Sequence, residues 1–181
     1  MIYVFLAKGF EEIEALTVVD FLRRCKLEVY TVGVGSKLVT GSHNIPVFCD
    51  LEDREVAPHS DLEAVVLPGG MPGTLNLEAD GKVNEFIDYC FENNKLICAI
   101  CAAPSILGHK GLLKGRKATC FPGFENELDG AEYTGDYAVC DGNIITGKGM
   151  GSAISFSQLI AEQFIDKKEA EEIKNSLQCP F

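Results

Sequence analysis

The chain has 181 residues, 46% of them hydrophobic, enough to bury one substantial core, and the reading places a single domain over 1–181. A formal net charge of −11, with no basic cluster longer than two residues, argues against a nucleic-acid backbone or an anionic membrane surface as partner. No apolar run reaches the roughly 18 residues of a membrane span, and the opening Met1-Ile2-Tyr3-Val4-Phe5-Leu6-Ala7 lacks a basic start, so a cytoplasmic location is expected.

Ile2 to Leu6 is a continuous apolar run and reads as the first strand. Phe10 to Arg24 reads as a helix in which Ile13, Leu16, Val19 or Asp20, and Arg23 form one row, with Val18 and Leu22 beside it; the apolar members are expected to face the sheet. Glu28 to Val34 is the next strand, and the turn-rich Gly35 to Pro46 predicts a hairpin with arms at Leu38-Val39 and Ile45 to Phe48. Ala64 to Leu67 is a buried strand ending in Pro68-Gly69-Gly70, followed by a loop rich in Gly, Pro and Asn. Gly81 to Glu92 is an amphipathic helix, and Lys95 to Ile100 is expected to be the central strand. Further strands are expected near Lys117 to Cys120, Tyr137 to Cys140 and Asn143 to Thr146, then helices over Ser152 to Phe164 and Lys167 to Leu177. Apolar strands separated by helices imply a mostly parallel sheet covered on both faces, an α/β fold.

In such a sheet ligands bind beyond the carboxyl ends of the strands. Three segments fall there: Gly9-Phe10-Glu11-Glu12-Ile13-Glu14, Pro68-Gly69-Gly70, and Cys101 with Ala102-Ala103-Pro104. A cysteine placed between an apolar strand and a helix started by Pro104 is presented as a nucleophile, and the helix amides favour its thiolate. Gly69-Gly70 is a tight turn whose amides can also approach a substrate oxyanion. Glu14 either suits the helix dipole or serves the site. The glycine-rich Gly147 to Gly151 lacks the P-loop ending and reads as a close-packed loop. The eight cysteines are scattered and expected to be reduced thiols; Cys98 and Cys101 form a C-x-x-C that no second pair or nearby histidine extends into a zinc set. No metal or other cofactor is expected.

Four segments together carry a resemblance: Ala7-Lys8-Gly9-Phe10-Glu11-Glu12-Ile13-Glu14, Leu67-Pro68-Gly69-Gly70-Met71-Pro72-Gly73, Ala99-Ile100-Cys101-Ala102-Ala103-Pro104 and Gly149-Met150-Gly151-Ser152. In this order they resemble the ThiJ/PfpI superfamily, in the branch of the parkinsonism-associated deglycase. The resemblance implies a flavodoxin-like three-layer sandwich, a homodimer, Cys101 as reactive nucleophile, and Glu14 as a protonated carboxyl hydrogen-bonded to its sulfur. It further implies that the amides of Gly69, Gly70 and Ala102 lie near the reaction centre. A carboxyl donor beside a thiolate makes the sulfur nucleophilic near neutral pH and oxidation-sensitive. The implied activity is a cofactor-independent glyoxalase or deglycase acting on small reactive carbonyls such as methylglyoxal; the other reading is a redox sensor or chaperone-like stress protein without turnover.

Departures from the pattern bear on mechanism. Protease-like members place a histidine directly after the nucleophilic cysteine, where this chain has Ala102, so protease activity is not expected. The branch often has a histidine at the position of Phe121. Of His43, His59 and His109, none has the placement of a triad base; His43 is the one that could reach the pocket rim, and His109 is expected to be structural.

Overall fold

Strand β1 (Ile2–Leu6) is buried at every position, in the computed structural model, which describes residues 1–179. Ile2, Val4 and Leu6 enter one core while Tyr3 and Phe5 enter another, the two-residue alternation of a strand covered on both faces. The same division holds in β7 (Leu96–Ile100): Leu96, Cys98 and Ile100 face one core, Ile97 and Ala99 the other.

Seven strands form the main sheet in the order β10 (Ala138–Asp141), β11 (Ile144–Gly147), β7, β6 (Ala64–Leu67), β1, β2 (Val29–Gly33) and β5 (Leu51–Glu52). All neighbours pair parallel except the β10–β11 hairpin. Helices α1 (Glu12–Arg24), α5 (Ala153–Ala161) and α6 (Lys167–Ser176) cover one face; α2 (Gly73–Ala79), α3 (Gly81–Glu92) and α4 (Pro104–His109) cover the other. The result is the expected α/β three-layer sandwich with a mostly parallel central sheet. Among the described residues, no helix is long and apolar enough to cross a membrane.

Several expectations are corrected. Ile13 and Leu16 face solvent, because α1 turns Glu14, Ala15, Val18, Phe21 and Leu22 inward, with Val19 the member of the expected row that does reach the core. One apolar stripe faces the core, and choosing the 14–18–22 row turns the 13–16–20–23 row outward. The Gly-, Pro- and Asn-rich stretch after Gly70 contains α2, nucleated where Thr74 N–H donates to Gly70 C=O at 2.8 Å and anchored by buried Leu77. Of Lys117 to Cys120, only β8 (Lys117–Ala118) is a strand, paired in parallel with β9 (Glu132–Tyr133) outside the main sheet. The middle of the seven strands is β6, with β7 beside it. The hairpin of β3 (Leu38–Thr40) and β4 (Pro46–Phe48) forms as read, as a separate sheet.

Parallel register sets the ends of β1, β6 and β7 at one edge, with Val4 opposite Val66 and Leu67 opposite Ala99. The segments that leave those three strands therefore emerge together.

Candidate active site

Cys101 follows β7 directly and has φ +66°, in the left-handed region that a non-glycine residue occupies at a cost of about 1–2 kcal/mol. Two backbone bonds hold it there: its N–H donates to Gly147 C=O at 2.9 Å, and its C=O accepts from Phe121 N–H at 2.8 Å. The bend lifts the side chain out of the sheet, leaving Cys101 partly exposed while Cys98, three residues earlier, is sealed in the core. Strain held by surrounding bonds is a feature of functional positions.

Glu14 reaches the same point from the first turn of α1. Its own N–H donates to the Glu11 carboxylate at 2.7 Å, capping the helix, and its buried side chain accepts from Gly69 N–H at 2.9 Å. The Cys101 side chain and the Met150 amide also lie close enough to the Glu14 carboxyl to favour its charged form. Gly69 lies between the pair so closely that a Cβ there would stand 2.6 Å from Cys101 Cβ and 2.8 Å from Glu14 Oε2. The Gly69 amide is thus committed to Glu14. The amides near enough to the Cys101 sulfur to favour its thiolate are those of Ala102 and Gly70.

Burial pushes the Glu14 carboxyl up to about 7, with the nearby Glu11 charge adding to it. Burial, followed by the negative charge of Glu14, pushes the Cys101 thiol up to about 12, against the pull of the Ala102 and Gly70 amides. A low thiol pKa set by the helix end alone is therefore corrected: α4 is only six residues long and begins three positions beyond the sulfur. Two negative charges cannot share this pocket, so between the two values the pair holds one charge and one proton. The sulfur is a thiolate when that proton sits on Glu14. Glu14 has a folded pKa above its usual 4.5, so its contribution to stability is complete below about 4.5 and is lost as pH rises toward 7. Cys101 alkylation by iodoacetamide is expected to show an inflection near pH 7 that disappears in Glu14→Gln; a retained inflection removes proton sharing.

The carboxylates that His43 and His109 bond are those of residues other than Glu14. His43 donates its backbone N–H to Glu12 at 2.7 Å, and its ring lies 3.0 Å from the same carboxylate. Burial alone would raise Glu12, but the His43 and Ser42 bonds outweigh it and hold the carboxyl at about 2. Glu11, Glu12 and His43 offer ligand atoms within 4.8 Å of one another, a cluster the sequence reading did not foresee. Those atoms already serve as the α1 cap and the Glu12–His43–Ser42 bonds. His109 ends α4 between Glu78 at 2.5 Å and Glu127 at 2.9 Å.

Sequence reasoning missed two contributors. The Met150 amide reaches Glu14 from the loop read as mere packing, and the Phe121 ring stands 3.1 Å from where a Gly149 Cβ would be. The glycine-rich run was the available signal for the first; Phe121 stood out in the sequence only as the occupant of a position where the branch often has a histidine, not as a wall of the site.

Residues 1–163 match the DJ-1/PfpI family. The chain is 37% identical to Protein DJ-1 homolog A of Arabidopsis thaliana over 93% of its own length, and it spans 43% of that longer relative. It is 33% identical to Protein dj-1beta of Drosophila melanogaster, covering 96% of this chain and 94% of that one. It is 31% identical to Deglycase TK1284 of Thermococcus kodakarensis, covering 83% and 90% respectively. The fold superposes on a cysteine-to-alanine mutant of the DJ-1 superfamily protein STM1931 from Salmonella typhimurium with a TM-score of 0.93 and 35% identity, covering 99% of this chain and 98% of that one.

Proposed function

The chain belongs to the DJ-1/PfpI family, and from that premise we propose a cysteine-dependent, cofactor-independent glyoxalase or deglycase acting on small reactive carbonyls such as methylglyoxal. The observation that supports this most is the contact of the Cys101 thiol with the buried Glu14 carboxyl, at a strained, partly exposed turn.

In this reading the Cys101 sulfur adds to the aldehyde carbon. The new C–S bond forms as the C=O π pair moves to oxygen, which takes the proton held by Glu14, leaving a hemithioacetal. In the same reading the amides of Gly70 and Ala102, which lower the pKa of the thiol from close by, steady the developing oxyanion. Glu14 then removes the proton from that carbon and returns one to the adjacent carbonyl carbon, while the hemithioacetal hydroxyl proton passes to the oxygen on that adjacent carbon, giving a thioester of a 2-hydroxy acid. Water cleaves the thioester, releasing the hydroxy acid and restoring the thiol, so methylglyoxal plus water becomes lactate. No histidine is required, in keeping with Phe121 where a histidine often stands. The reading also includes a homodimer and a cytoplasmic location.

The test is consumption of methylglyoxal by the native chain, with the product followed by NMR. Appearance of lactate supports the enzyme. Absence of turnover, together with selective peroxide oxidation of Cys101, overturns it in favour of a redox sensor, the second reading, which rests on the partial exposure of this one site thiol.

A further inference from the structure

Three large apolar side chains stand out of the surface beside the reactive pair: Phe121 is 47% exposed, Tyr137 71% and Met150 56%. They do not lie scattered. Together with Pro122, Lys148 and the backbone of Gly149 to Ser152 they line a single cavity of about 270 Å³. This cavity abuts the pair through backbone on two sides. Phe121 N–H bonds Cys101 C=O at 2.8 Å, and Gly149 has the Phe121 ring on one side and Glu14 Oε1 3.9 Å from its Cβ position on the other. The one charged group in the lining, Lys148, turns its ammonium onto Gly135 C=O at 3.0 Å.

We propose that this cavity is the subsite for an apolar substituent on the carbonyl substrate, so that aryl and branched-alkyl 2-oxoaldehydes are preferred to methylglyoxal. The inference rests on the proposed carbonyl chemistry and names its substrate class. An apolar cavity of about 150 Å³ already suffices to bind benzene, so one aromatic ring fits the space. Burying such a ring against Phe121, Met150 and Tyr137 removes apolar surface of both partners from water, and Phe121 and Tyr137 offer edge and face contacts to it. A methyl group leaves most of the cavity unfilled. Phe121 is then a specificity-determining residue: its ring forms the wall next to the nucleophile's own backbone.

The test compares phenylglyoxal with methylglyoxal by kcat/KM, each normalised to its reaction with a free small thiol, with mandelate and lactate as products. The native chain is expected to favour the aryl substrate at least about tenfold, and Phe121→Ala to lose most of that ratio, while Tyr137→Ser, at an exposed position, lowers it in the same direction. A second measurement needs no turnover: Cys101 alkylation by N-benzylmaleimide against N-methylmaleimide, normalised in the same way. Turnover of both glyoxals with no preference overturns the subsite and leaves the enzyme standing. No turnover with a Phe121-dependent preference for the benzyl reagent supports the subsite and overturns the carbonyl chemistry. No preference in either assay overturns the subsite.

Discussion

Cys101→Ser is expected to lower kcat/KM for methylglyoxal by at least about a thousandfold, with a thermal midpoint close to that of the native chain. Serine is nearly the same size and keeps the same backbone bonds, its N–H donating to Gly147 and its C=O accepting from Phe121, so the turn survives. What is lost is the nucleophile. A serine hydroxyl beside a carboxyl does not ionise near neutral pH, and Glu14 can act as its base only as the carboxylate, the form it takes above about 7. The measurement is steady-state turnover of Cys101→Ser and the native chain at matched folded concentration. A variant retaining about a tenth of native activity would assign the chemistry to some other group.

Gly69→Ala carries the second large effect, expected as a loss of at least about a hundredfold in activity and about 1–3 kcal/mol in stability. Gly69 has no positive φ to defend, so the backbone itself tolerates alanine. The added methyl would stand 2.6 Å from Cys101 Cβ, 2.8 Å from Glu14 Oε2 and 3.0 Å from Cys101 Sγ, so the pair must part to admit it. Separating the carboxyl from the sulfur removes the shared proton, and the alkylation inflection near pH 7 should vanish along with turnover. Gly70→Ala serves as a contrast: φ is +89° and the new Cβ would meet Glu11 N at 2.4 Å and Gly9 O at 2.6 Å, so its damage falls first on the fold. A Gly69→Ala protein with native kinetics would mean that the contact between Glu14 and Cys101 plays no part in the reaction.

Local pattern was enough for much of this molecule. The apolar runs at Ile2 to Leu6, Ala64 to Leu67 and Lys95 to Ile100, separated by helix-period segments, determine a parallel sheet buried on both faces, and hence that the segments after those strands meet at one edge. Turn chemistry after an apolar strand pointed to Cys101, and the family resemblance singled out Glu14 and the Gly69-Gly70 turn beside it. Tertiary structure alone decided the rest. Which row of α1 faces inward depends on the partner surface, since Ile13 and Leu16 are as apolar as Val18 and Leu22. The assignment of the Gly69 amide to Glu14, the Met150 amide reaching the same carboxyl, and the Phe121 wall are contacts between segments distant in the chain. The titration of the pair depends on burial and on the two groups' proximity, neither of which a one-dimensional pattern encodes.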